Sequence, residues 1–174
     1  MTQGLSLPSL PTSLLTELTA GTSPGARAVE ESISGQNGAD GKEPWKPVHY
    51  FFYGSLMDDQ KLIQVLGLTH PPVLRPATIV GYSIKMWGPY PTLVEGPPEN
   101  VLNGMAYEVQ HERHEKRLAY YETDAYMCAT CLIKPASGGD QIAGKTFVWA
   151  GDPNDRILRP GSFDLEAWKK GRQM

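Results

Sequence analysis

The chain has 174 residues, of which 40% are apolar, and its 16 Lys and Arg against 19 Asp and Glu leave a net charge of −3. No basic cluster is present to meet a phosphate backbone, so nucleic acid is not an expected partner. No apolar run approaches the roughly 20 residues of a membrane span, so no membrane is expected either.

Residues 1–46 are rich in Ser, Thr, Gly and Pro and hold one short apolar cluster, Leu14, Leu15 and Leu18. Such a segment buries too little apolar surface to offset its ordering entropy, and a disordered tail is expected there. The Leu14–Leu18 cluster reads as part of that tail, as a transient helical turn or as a docking motif. The start lacks the basic and apolar regions of a secretory signal, and Glu17, Glu30 and Glu31 do not suit a mitochondrial transit peptide. The cytosol is the expected compartment. A single folded domain is expected over 47–174, a normal size for one core.

The folded part opens with "VHYFFY", a nearly continuous apolar and aromatic run that suits a strand covered on both faces. It stops at Gly54-Ser55. This is either an ordinary tight turn or a row of backbone N–H groups held open for a ligand oxygen. "DDQKLIQVLGL" then predicts a helix, with Asp58 and Asp59 in its first turn, a stripe of Leu62, Ile63 and Leu66, and Gly67 as C-cap. "ATIVGYSIKMW" predicts one strand, "GPYPTLVEGPPEN" a proline-rich loop with a short strand at "TLV", and "VLNGMAYEV" a further strand. "QHERHEKRLAYYE" predicts a helix with His114, Leu118 and Tyr121 on one face. "AYMCATCLIK" and "KTFVWAG" read as strands joined by a hairpin. "GSFDLEAWKKG" reads as a last helix capped by Ser162, with Asp164 in its first turn. Many short strands with few helices, not alternating regularly, imply an α+β fold. The expected form is a small, mostly antiparallel curled sheet or barrel with helices packed outside.

Several chemistries are excluded by what the motifs lack. A nucleophile elbow needs G-x-S-x-G and a late histidine, but Gly54 abuts Ser55 and the last histidine is His114. Neither G-x-x-x-x-G-K-[ST] nor G-x-G-x-x-G occurs, so no nucleotide cofactor is expected. Cys128 and Cys131 lie three apart on a predicted strand, facing opposite ways, and no second pair exists to complete a zinc site. The histidines of "HERHE", His111 and His114, are conceivable ligands on what reads better as a solvated helix face. Trp87 and Tyr90 read as pocket wall or loop packing, and Arg75 as a carboxylate partner or a surface charge. No metal and no cofactor are expected.

Two stretches together resemble the gamma-glutamylcyclotransferase-like family. "FFYGSLMDD" resembles its opening Tyr-Gly-Ser/Thr loop. "RLAYYETDAYMC" resembles its second motif, an acidic residue at a helix end followed by a tyrosine on the next strand. "PYPTLVEG" and "NGMAYEV" occupy the places of its middle strands, and the resemblance spans roughly residues 50–150. It implies a small barrel-like domain in which Glu122 is the catalytic acid/base. The loop Tyr53, Gly54, Ser55 and Leu56 would hold a glutamyl moiety through backbone N–H groups, and Tyr126 would line the site. Leu56 stands where the best-known animal members carry Asn, which resembles the branch acting on gamma-glutamylamines. The implied activity is cofactor-independent cyclisation of a gamma-glutamyl amide to 5-oxoproline. The alternatives are a tailoring enzyme of the same fold acting on a small natural product, and a non-catalytic binding module.

Overall fold

The computed structural model describes residues 43–172. The tail expected over 1–46, with its Leu14–Leu18 cluster, lies outside the described residues up to residue 42.

Strand β1 (Val48–Phe52) carries three buried aromatics in succession, Tyr50, Phe51 and Phe52. The chain then makes a 3-10 turn over Ser55–Met57 and enters helix α1 (Asp59–Leu66). The Asp58 carboxylate accepts the Lys61 N–H at 3.1 Å, which makes Asp58 the N-cap and not a first-turn residue. Leu62 and Leu66 are fully buried on the inner face of α1. Gly67, at φ 67°, ends the helix in the left-handed conformation that its lack of a Cβ allows.

Strands β2 (Arg75–Val80), β3 (Tyr82–Trp87), β4 (Tyr90–Glu95) and β5 (Val101–Val109) follow, then helix α2 (Glu112–Glu122). Strands β6 (Tyr126–Pro135), β7 (Ile142–Trp149) and β8 (Leu158–Pro160) and helix α3 (Leu165–Arg172) complete the order. Five strands close into a barrel in the order β1-β5-β2-β6-β7, and β4-β3-β8 form a second sheet. Every pairing is antiparallel except the one that closes the barrel, where His49 and Tyr50 of β1 run parallel to Gly144 and Lys145 of β7. The fold is thus the mixed α+β, barrel-centred architecture that the element pattern implied.

Phe51, Ala77, Ile79, Ala106 and Ile133 of the barrel strands form the core together with Leu93 of β4. Burying each of the four large ones, Phe51, Ile79, Leu93 and Ile133, contributes roughly 1.5–3 kcal/mol. At Gly104 on β5, an added Cβ would strike the Phe52 carbonyl and the Phe51 ring, so this position has to be glycine for β1 and β5 to pair around that ring. Outside the barrel α2 buries His114 and Leu118 and packs against α1. Among the described residues no helix is long and apolar enough to cross a membrane.

Three local expectations are corrected. The single strand expected over 77–87 breaks at Gly81, whose φ of 87° turns β2, in the barrel, away from β3, in the second sheet. The run reads as one strand because both parts send alternate side chains to the core, Ala77 and Ile79 from β2 and the half-buried Tyr82 and Ile84 from β3, with the phase shifting at Gly81. The segment "TLV" is the middle of a full six-residue strand, β4, held by ladder bonds to β3. Asp164, not Ser162, caps α3, its carboxylate accepting the Ala167 N–H at 3.1 Å.

Candidate active site

The end of β1, the end of α2, the start of β6 and the end of β7 converge at one end of the barrel. Tyr53 follows the last residue of β1, and its hydroxyl donates to the Phe147 carbonyl of β7 at 2.6 Å. Tyr126 opens β6 in register with Trp149, near the end of β7. Its hydroxyl donates to the Pro91 carbonyl at 2.9 Å, which ties the barrel to the second sheet.

The turn after β1 is fixed from two sides. A Cβ at Gly54 would lie 2.9 Å from Pro91 Cγ, so glycine is needed here for close approach; its φ of −129° is open to any residue. The Ser55 hydroxyl and the Tyr121 hydroxyl of α2 share a hydrogen bond of 2.8 Å. Leu56 is 2% exposed and anchors the turn in the core. The first N–H groups of a 3-10 turn have no partner within it. Among the described residues those of Ser55 and Leu56 donate to no protein carbonyl. On the far side of the turn Lys169 of α3 pairs with Asp58 at 3.1 Å.

Glu122 is the last residue of α2. Part of its surface stays accessible, but its carboxyl lies deep in the protein, and this burial raises its pKa from 4.5 to about 8. Tyr53 and Tyr126 are both held well above the usual phenol range, first by burial and then by the charge of Glu122 close by. Glu122, Tyr53 and Tyr126 therefore share one site. The bond from Tyr121 to Ser55 brings the turn to the same helix end.

Aromatic rings line one side. Tyr126 meets Trp149 edge-on with centroids 6.0 Å apart and Trp87 at 6.5 Å, and the two indoles lie 5.1 Å from each other. Tyr90 extends the group, 6.1 Å from Trp87. A carboxyl that keeps its proton to about pH 8 can both take up and release a proton near neutrality.

The other sequence candidates lie elsewhere. Arg75 opens β2, exposed and two residues before the partner of Pro135, at the end of β6 opposite to Tyr126. His114 is buried on α2 and His111 is exposed, with their rings 5.1 Å apart. Among the described residues no group of three or more His, Cys, Asp or Glu is placed to hold a metal ion. Cys128 and Cys131 are free thiols on β6, and burial pushes Cys131 up to about 11. Sequence reasoning missed Tyr121, Trp149 and Pro91 as parts of this site. Tyr121 adjoins Glu122 in sequence, but nothing local signals that its hydroxyl reaches Ser55, 66 residues away.

Comparison with known proteins follows the same outline. The fold resembles that of an Arabidopsis thaliana protein solved in solution, at TM-score 0.59 and 19% identity, covering 76% of this chain and 78% of that one. A second Arabidopsis thaliana protein gives TM-score 0.57 and 23% identity over 75% and 86% of the two chains. An AIG2-like protein of mouse gives 0.53 and 18% over 69% and 90%. No curated protein matches the chain. The family model described as gamma-glutamyl cyclotransferase, AIG2-like, matches residues 50–170, from within β1 to within α3, and so takes in every element around Glu122. The chain belongs to the gamma-glutamyl cyclotransferase, AIG2-like family.

Proposed function

We propose that the protein cyclises a gamma-glutamyl amide to 5-oxoproline and a free amine, with Glu122 carrying the proton. The observation that carries this reading is the buried Glu122 carboxyl, with a pKa of about 8, at the helix end that Tyr121 ties to the Ser55 turn.

The substrate brings its own nucleophile. Its α-nitrogen attacks its own γ-carbon, a C–N bond closes the five-membered ring, and the C–N bond to the leaving amine breaks. The attack is intramolecular, so the protein mainly fixes the cyclising conformer. The α-amine arrives as an ammonium, and a carboxyl with a pKa of about 8 is a better base toward it than an ordinary carboxylate. Glu122 takes one proton before the attack and passes it to the departing nitrogen; it then takes the second proton that the ring nitrogen still carries and hands it to the freed amine, which leaves as an ammonium with Glu122 as it began. The N–H groups of Ser55 and Leu56 receive an oxygen of the glutamyl moiety, Gly54 lets it approach the backbone, and Tyr53 and Tyr126 wall the site. No step calls for a metal, a cofactor or a protein nucleophile. Leu56 turns its side chain into the core and offers the substrate no side-chain donor, which supports gamma-glutamylamines over dipeptides as the preferred class.

The test is 5-oxoproline release from a panel of gamma-glutamyl amines and dipeptides by wild type and Glu122→Gln. The substitution keeps size and removes the proton carrier, so a loss on the order of 10² to 10⁴ is expected. Release that survives in Glu122→Gln removes Glu122 from the chemistry. No release from any panel member overturns the cyclotransferase reading in favour of a same-fold tailoring enzyme or a binding module.

A further inference from the structure

Helix α2 does not run out into solvent after Glu122. It reverses within four residues, and Tyr126 starts β6. The reversal is made at Thr123, whose φ of 69° and ψ of 179° lie in a region open in practice only to glycine. Among the described residues Thr123 is the one non-glycine with a positive φ; Gly67, Gly81, Gly88, Gly138 and Gly139 hold the other such positions. A branched Cβ makes the conformation costlier still.

Strain of this kind persists only where the surroundings fix both ends. On one side α2 is anchored by the buried His114 and Leu118. On the other β6 pairs with β7 from Tyr126 to Ile133. Thr123 bonds to both. Its N–H donates to the Ala119 carbonyl at 3.1 Å and closes the helix, and its carbonyl accepts the Tyr126 N–H at 3.3 Å. Its Oγ1 accepts the Ala125 N–H at 3.3 Å, and the Ala125 carbonyl in turn accepts the Ala150 N–H, next to Trp149, at 2.9 Å. Glycine would relieve the strain. It would also remove the hydroxyl acceptor and the stiffness of the link.

We propose that Thr123 is a positioning residue: its strained backbone and its hydroxyl hold the Glu122 carboxyl in place beside Tyr126. The proposal rests on the reading of Glu122 as the proton carrier. A freer link lets the carboxyl swing toward water, away from Tyr53 and Tyr126, the titratable groups that face it.

Thr123→Gly and Thr123→Ser test this in the full chain with the best gamma-glutamyl amide of the panel. Thr123→Gly is expected to melt no lower than wild type while kcat falls about 10- to 100-fold, the scale of a misplaced catalytic group, and KM stays within about twofold. Thr123→Ser keeps the hydroxyl and is expected to retain kcat. The second readout is the titration of the Glu122 carboxyl, followed by carbon NMR and assigned by its loss in Glu122→Gln. Its midpoint drops toward the ordinary carboxylate range in Thr123→Gly and stays in place in Thr123→Ser. An unchanged kcat and an unchanged titration in Thr123→Gly overturn the proposal, as does a kcat loss that only tracks lost thermal stability. If Thr123→Gly does not fold, Thr123→Val, which keeps the shape and removes the acceptor, is expected to lower kcat and the midpoint together; no change in either overturns the proposal. If wild type releases no 5-oxoproline, the proposed function fails, while the titration arm still decides whether Thr123 holds Glu122.

Discussion

At the scale of one residue, the proposed reaction makes Glu122 the group whose ionisation sets the rate. As base it must be ionised, so kcat/KM rises with pH as the carboxyl loses its proton, around pH 8. The rate turns down again at higher pH, once the substrate ammonium has itself lost the proton to be carried. A bell centred slightly above neutrality is the expected profile, measured as initial rates of amine release across pH. A rate already flat from pH 5 upward would mean an ordinary, solvated carboxylate. Tyr53 and Tyr126 do not shape this bell, because burial holds both phenols neutral throughout the range.

At the scale of elements, the turn that would receive the substrate is held by a helix at each end. Asp58 caps α1 with one carboxylate oxygen and pairs with Lys169 of α3 through the other. Asp58→Ala removes both contacts and should cost about 1 kcal/mol, as lost N-caps do, with a higher KM from a looser turn. Lys169→Met keeps the cap and removes the pair with Asp58, together with a longer one to Glu166 at 3.6 Å, and should leave stability nearly unchanged, since ion pairs at the surface contribute little. Denaturant melts of the two variants separate cap from pair; equal losses would mean that α3, not the cap, secures the turn. The same elements show what a sequence can and cannot display. Helix α1 carries its own stop signals in Asp58 and Gly67, and β5 and α2 carry complete hydrophobic patterns, so all three are readable locally. Strand β8 has three residues and exists because β3 lies beside it, and Gly81 places a change of sheet inside one continuous strand-prone run. Around the site, the Gly54–Ser55 stop and the tyrosines flanking Glu122 are local features and stand out in the sequence. The Ser55–Tyr121 bond, the Trp149 wall and the positive φ of Thr123 depend on distant packing and leave no local trace.

At the scale of the whole molecule, Glu122 works against the fold that houses it. Below pH 4.5 its carboxyl is protonated in both folded and unfolded chains and costs nothing. Between 4.5 and about 8 the unfolded chain gives up the proton while the folded one keeps it, so stability falls as pH rises. Above that window the full penalty is present, on the order of a few kcal/mol. Glu122→Gln should therefore melt higher than wild type above pH 8, and the two curves should converge as pH falls toward 4.5. A difference in melting temperature that does not change with pH would show that this carboxyl carries no raised pKa. The hydrogen bond from Tyr53 to Phe147 has a different consequence. It joins positions 94 apart in the chain, across the seam where β1 and β7 meet in parallel. Until that seam closes, Glu122 is one more solvated carboxylate and the turn at Ser55 faces open water. Under the proposed function, a full-length chain with that seam open is expected to hold every residue of the site without their arrangement, and so to release no 5-oxoproline.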